Sequence, residues 1–506
     1  MAYMIGVDLG TSGTKTALFD EQGRNLASCT VEYPLSQPHN GWAEQDPEHW
    51  WQAAKTTIQA VLSKSGVKPA DIKGIGLSGQ MHGLVMLDGG GKVLRPAILW
   101  CDGRTGEECA QITERVGREK LIAITANPAL TGFTAGKILW VRRHEPEIYE
   151  RCRHILLPKD YLRYRLTGEF ATEVSDASGM NLLDVPNRCW SREILDALEI
   201  DPAWLGTMHE SADLTGTVTA LAAQETGLCP GTPVAGGAGD NAAAAIGTAV
   251  VRPGRAFVTL GTSGVIFAHS DKVTIDPQGR VHTFCAAVPG SWTAMSCTLS
   301  AGLSLQWLRN QCCQEECRLA SEQGVDPYEL MTAAAQKSPV GANRLLFLPY
   351  LMGERSPLLD EKARGAFVGL SAMHTRGDLV RAVMEGVSYS QRQCLDILRD
   401  MGVTPDTITA CGGGARSPFW RQMLADVLGC TIQTSPLALE GPALGAAILA
   451  GVCAGVYDSV PDAAGAIVRP GELCRAQADA GYEPFYDLYT RLYPALKDSF
   501  RELSAL

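Results

Sequence analysis

The chain has 506 residues, too many for a single hydrophobic core, so two or more domains are expected. A hydrophobic content of 45% and a charged content of 20% are those of an ordinary globular protein. The net charge of −11, with no Lys/Arg stripe, excludes nucleic acid and anionic membrane surfaces as natural partners. Glycine is the outlier: 53 residues in short clusters between apolar runs, which implies tight turns or backbone close to a ligand. The sixteen cysteines are scattered without a C-x-x-C pair. Only Cys312, Cys313 and Cys317 sit near one another, so idle thiols in a reducing compartment are expected. Met1–Gly10 lacks the pattern of a signal peptide, and the cytoplasm is the expected location.

In chain order, the first element is an apolar strand, Met4 to Leu9, interrupted by Asp8. A turn, Gly10-Thr11-Ser12-Gly13, leads to a second strand from Thr14 to Phe19. This glycine loop therefore closes a hairpin. A Walker A loop needs G-x-x-x-x-G-K-[ST] and a following helix, and neither is present. Asp46-Pro47 reads as N-cap and first turn of a helix running to about Lys64, with Trp50 and Trp51 as packing residues. Gly74 to Gly79 spells G-x-G-x-x-G, but another strand, Leu84 to Leu87, follows where a dinucleotide fingerprint needs a helix. The segment is better read as a strand end that delivers Gln80, Met81 and His82 to a cleft.

Gly10–Gly13 recurs as Gly261–Gly264, again between two apolar strands, which points to a duplicated domain. Arg252-Pro253-Gly254 reads as a break between the halves. Pro233 to Ala235 is a short strand entering Gly236–Gly239, after which Asp240-Asn241 opens an Ala-rich helix to Gly247. Asp240 reads locally as a helix N-cap, and the helix terminus favours its ionised form. Asp8, buried mid-strand, needs a cation or hydrogen-bond donors beside it. The stretch from Val281 to Leu308 carries no Asp, Glu, Lys or Arg. Pro289-Gly290 and its Ser and Thr residues make it strand, turn and helix rather than a membrane span. Cys411 to Ala415 holds three glycines at a strand-to-helix junction, a flat surface for a planar base or simply a tight turn. Ser417-Pro418 then opens a helix that ends at Gly429. The small residues from Gly441 to Ala447 suit close helix packing.

Together, the hairpin Asp8–Gly13, the glycine-flanked Asp240-Asn241 and the run Gly412–Ala415 resemble the FGGY carbohydrate kinases of the actin-like ATPase superfamily. Two longer segments are similar to signatures of that family: Gly132 through Lys137 to Trp140, and Gly365 to Leu370 continuing to Glu385. The resemblance implies an α/β fold of two actin-like (ribonuclease H-like) domains, each a mixed β-sheet flanked by helices, with an interdomain catalytic cleft. It divides the chain into residues 1–246, with the sugar site and first phosphate hairpin, and residues 247–506, which bind the nucleotide.

It further implies Asp240 as catalytic base and Asp8 as a second catalytic carboxylate, both also as Mg²⁺ ligands. Met81, His82, Asn241, Trp100 and Asp102, with Asp240, are implied at the sugar. ATP is implied at Gly10, Thr11, Ser12, Gly13 and Lys15, at Gly261, Thr262 and Ser263, and at Gly413 and Gly414. Ile98–Arg104, Leu157–Leu162 and Gly353–Pro357 resemble family members that phosphorylate D-xylulose; ribulose, gluconate and glycerol are the other acceptors. Cys101, Gly136 and Ala286 depart from common family residues (Asn, Pro and His) and bear on which sugar is preferred. A homodimer is implied by the resemblance alone.

Overall fold

The computed structural model describes residues 1–506, the side chain of Leu439 excepted. Two compact units form, and neither is continuous in sequence. Unit 1 takes Met1–Arg252, His269–Thr293 and Leu437–Arg469; unit 2 takes Pro253–Ala268, Ala294–Pro436 and Pro470–Leu506.

Unit 1 is built on a mixed sheet of β1 (Tyr3–Leu9), β2 (Gly13–Asp20), β3 (Asn25–Glu32), β4 (Ile72–Gly79), β5 (Leu214–Thr217) and β6 (Pro233–Ala235). Their order is β5-β6-β4-β1-β2-β3. β1 runs antiparallel to β2 and parallel to β4, so the hairpin expected from sequence sits at the centre of the sheet. Strand alternation sorts the side chains of β1. Ile5, Val7 and Leu9 join a core with Trp50, Trp51 and Ile58 of the helix Pro47–Ser65. Asp46 caps that helix, accepting from the Glu48 N–H, and Pro47 occupies its first turn.

Met4, Gly6 and Asp8 face the opposite side, where the helices Asp240–Gly247 and Gly441–Cys453 pack. The second of these helices lies almost on the sheet backbone. A Cβ added at Gly6 would collide with the carbonyl oxygen of Ala443, and one at Gly76 with that of Ala446. Gly74 meets the Ala450 oxygen at 2.8 Å in the same way. The first two glycines of the G-x-G-x-x-G run are thus a seat for a helix, not a dinucleotide turn. Gly247 and Gly445 let the two helices approach each other as closely, against Gly441 and Ala243.

Unit 2 repeats the plan. Its sheet contains β7 (Arg255–Leu260), β8 (Gly264–Ser270), β9 (Trp292–Thr298), β10 (Thr407–Cys411), β11 (Thr431–Gln433) and β12 (Leu473–Cys474), in the order β9-β8-β7-β10-β11-β12. β7 is antiparallel to β8 and parallel to β10, as β1 is to β2 and β4. The echoed loops differ in one respect. Leu9 pairs with Thr14 across a four-residue loop, whereas Leu260 pairs with Gly264 across three. That single-residue change of register places Asp8 opposite Lys15 in the first hairpin and Thr259 opposite Val265 in the second. No helix is long and apolar enough to cross a membrane among the described residues.

Candidate active site

The Asp8 carboxylate is half-buried at the end of β1 that meets the loop. Ser78 Oγ, from its parallel neighbour on β4, donates to it at 2.9 Å. Burial raises its pKa, while the Ser78 bond and the charge of Lys15 act in the other direction. Lys15 Nζ itself lies 2.7 Å from Glu440 Oε2.

Asp240 is the first residue of its helix, and Gly239 is the N-cap. The expected capping role is therefore not its own. Its Oδ1 accepts instead from the backbone N–H of Asn241 at 2.7 Å and from Asn241 Nδ2 at 2.9 Å. Among the described residues no donor reaches Oδ2. The helix terminus does not hold this group at an ordinary carboxylate pKa: burial, and then the charge of Asp8, push it up to about 7. A carboxylate whose ionisation is opposed by a second one nearby suits a divalent cation, which takes one or two carboxylates and completes its shell with phosphate oxygens and water. No group of three or more His, Cys, Asp or Glu suited to a metal occurs among the described residues. A cation here would rest on Asp8 and Asp240 and on the substrate's own oxygens.

Around this pair the strand end of β4 supplies Met81 and His82. Met81 is buried against Gly239, where any side chain would come within 2.8 Å of its Cγ. His82 is half-buried, with φ of 67°, a left-handed backbone uncommon for a non-glycine residue. Its Nδ1 lies 2.8 Å from the Gly179 carbonyl, and its ring stacks on Phe133 with centroids 4.5 Å apart. A Cβ at Gly179 would strike the imidazole.

Trp100 is 46% exposed and anchored at one end only, its Nε1 donating to Thr11 Oγ1 at 2.9 Å. Thr11 Oγ1 donates in turn to Gln80 Oε1, and Gln45 Nε2 donates to the Thr11 carbonyl. The indole is thereby tied to the first glycine loop. Asp102, expected at the sugar, is otherwise committed. It accepts from the N–H of Ala43 and Arg104 and from Nε and Nη2 of Arg104, at 2.6–3.0 Å. Four donors occupy its lone pairs, so its contribution is to fix the 100–104 loop.

Several participants carry no local sequence signal. Ser175 Oγ accepts from the Gly239 N–H, and Glu173 accepts from Ser175 Oγ and from Ser211 Oγ. Beneath them the fully buried Lys159 faces Asp160, Glu173 and Asp176 at 2.7–3.2 Å. Arg163 bonds Asp160 and the Gly236 carbonyl at the start of the glycine run. Lys137, within the Gly132–Trp140 segment that resembles a family signature, is a further buried amine in an all-buried helical stretch, where an amine is costly.

In unit 2, Gly261, Thr262, Gly413 and Gly414 line one cavity of about 760 Å³, with Gly302, Gln306, Tyr328 and Trp420. That size is within the range of small-molecule sites. The carbonyls of Gly261 and Thr262 are taken by the N–H groups of Gly302 and Ala301, which fixes the second glycine loop. Gly412, with φ of 85°, turns the chain out of β10, and a Cβ at Gly413 would meet nothing within 4 Å. Ser417 then caps the helix Pro418–Leu428.

Two sheets of one strand order, each opening on a glycine-bounded hairpin loop, define an actin-like phosphotransferase fold. The chain belongs to the FGGY family of carbohydrate kinases: the family's N-terminal domain matches residues 3–247 and its C-terminal domain residues 256–454. A xylulose kinase of Escherichia coli (strain K12) is 42% identical over 493 residues, covering 97% of this chain and 99% of the relative. One of Bacillus subtilis (strain 168) is 39% identical, covering 98% of each. The crystal structure of the xylulose kinase from Rhodospirillum rubrum has a TM-score of 0.90 at 33% identity, covering 99% of this chain and 100% of that one.

Proposed function

We propose that the protein transfers the γ-phosphate of ATP to the 5-hydroxyl of D-xylulose, giving D-xylulose 5-phosphate and ADP. Likeness to xylulose kinases over nearly the whole chain supports the choice of sugar. The observation that carries the chemistry is Asp240: one carboxylate oxygen tied by Asn241, the other open, with a pKa of about 7. Such a group takes a proton at neutral pH when the hydroxyl oxygen attacks phosphorus. The O5–H bond breaks toward Asp240 Oδ2, the O5–P bond forms, and ADP leaves with the electrons of the bond to the γ-phosphorus. Because phosphoryl transfer is loose, Asp240 mainly orients the hydroxyl and receives its proton late.

In this reading residues 1–246 carry the sugar, with Met81, His82 and Asn241 at its hydroxyls and Trp100 covering it. Asp102 serves by holding the Trp100 loop. Gly10–Gly13 and Lys15 receive phosphate oxygens. Residues 247–506 bind the nucleotide, with Gly261–Ser263 at the phosphates and Gly413 and Gly414 under the adenine. Asp8 and Asp240 would hold Mg²⁺, which would supply charge neutralisation to the phosphates. All sixteen cysteines are free among the described residues, which suits the reducing cytoplasm.

The test is ADP release with D-xylulose, D-ribulose, gluconate and glycerol as acceptors. D-xylulose gives the highest kcat/KM, and Asp240→Asn lowers it about 10²–10⁴-fold. A preference for another acceptor overturns the choice of sugar, and full activity in Asp240→Asn overturns the base.

A further inference from the structure

We propose that Lys137 is a positioning residue for sugar recognition, holding the backbone of His82 in its left-handed conformation from the neighbouring helix. The inference rests on the reading of His82 as a sugar contact.

Lys137 lies on the helix Thr134–His144 and is fully buried, among apolar neighbours along its own helix. Its Nζ donates to the His82 carbonyl at 2.8 Å and to the Gly132 carbonyl at 2.6 Å. Thr134 Oγ1, one turn earlier, donates to the same His82 oxygen at 3.0 Å. The carbonyl of a residue with φ of 67° therefore receives two side-chain donors from one helix. The residue just before that helix, Phe133, stacks on the His82 ring. One short segment, 133–137, thus grips His82 at its ring and at its backbone.

Left-handed geometry costs a non-glycine residue roughly 1–2 kcal/mol, so it persists only where its surroundings enforce it. The two donors to the His82 carbonyl are such an enforcement. A methionine of similar length would fill the space of Lys137 without burying an amine, but could not donate to either carbonyl. The bonds also survive loss of the proton, since a neutral amine keeps two N–H groups and there are two carbonyls. Burial lowers the pKa of Lys137 to about 7, so both protonation states occur near neutrality.

The experiment is a double-mutant cycle on D-xylulose affinity, measured by calorimetry and as KM. Lys137→Met raises Kd for the sugar about tenfold or more, with a smaller change in kcat. His82→Gly adopts the left-handed backbone without help and lacks the ring. In that background Lys137→Met changes Kd by less than about threefold, because the lysine acts through His82. An equal factor in both backgrounds means a general structural role and overturns the proposal, as does an unchanged Kd in the single variant. Should Lys137→Met not accumulate as folded protein, Thr134→Val removes the other donor to the same oxygen and completes the same cycle. A wild-type protein that neither binds nor phosphorylates D-xylulose defeats the proposed function instead; an active wild type with an additive cycle defeats only the role of Lys137.

Discussion

The pKa of Asp240 sets a pH dependence that can be worked out in advance. A general base acts when ionised, and kcat/KM for the sugar reports the free enzyme. With a value of about 7, roughly a tenth of the enzyme carries ionised Asp240 at pH 6 and about nine-tenths at pH 8. With D-xylulose and Mg·ATP both limiting, so that the metal-free enzyme is the reference state, the rate therefore rises about tenfold across that interval, with its acid limb centred near pH 7. The second-ranked cause of the shift is the charge of Asp8, so Asp8→Asn moves the limb of its residual activity toward acid.

Stability follows the same group with opposite sign. Its folded pKa is raised above the unfolded 3.8, so folding loses free energy as pH rises from about 4 to 7, and the loss is complete above 7. Asp240→Asn is accordingly more stable than wild type at pH 8, by a few kcal/mol at most, and the gap narrows toward pH 4–5. The assays are a coupled ADP measurement from pH 5.5 to 9 at constant ionic strength, and urea unfolding of both proteins at pH 5 and 8. A flat kcat/KM between pH 6 and 8, or an Asp240→Asn variant less stable at pH 8, refutes the reasoning.

Two further outcomes concern the framework. Lys159→Met leaves Asp160, Glu173 and Asp176 buried without the amine they share, and should cost about 3–5 kcal/mol in urea unfolding. A loss below 1 kcal/mol would show that the cluster neutralises itself by protonation. Gly76→Ala drives a methyl group into the Ala446 carbonyl and should lower stability by about 1–3 kcal/mol, whereas Gly66→Ala, which meets nothing within 4 Å, pays only for its left-handed cap. Equal losses at the two positions would argue against the close helix seat.

The parts of the molecule that depend on near neighbours were legible in the sequence. The two hairpins, the Asp46-Pro47 helix start and the rejection of a dinucleotide fold at Gly74–Gly79 all follow from periodicity and turn chemistry. Asp8 was legible as a charge out of place in a strand, and Ser78 and Lys15 are beside it in the sheet. What escaped depends on contacts across long stretches of chain. Nothing near Asp102 announces that Ala43 and Arg104 will consume its carboxylate. Nothing near Gly74 shows that the Gly441–Cys453 helix will press on it. The charge state of Asp240 was misjudged for a related reason: the helix terminus is visible locally, but its burial and the nearness of Asp8 are not.

The Gly441–Cys453 helix has a consequence for how the protein is made. Its seat on β1 and β4 is built from residues before Gly79, yet the helix leaves the ribosome about 360 residues later, which at ordinary translation speed is roughly 20–70 s. Until that helix arrives the nascent first sheet displays a glycine-lined apolar face that the Asp240–Gly247 helix covers only in part. A chaperone that shields emerging chains would find a target there, and a transcript truncated before codon 441 would yield a product that leaves the glycine seat uncovered.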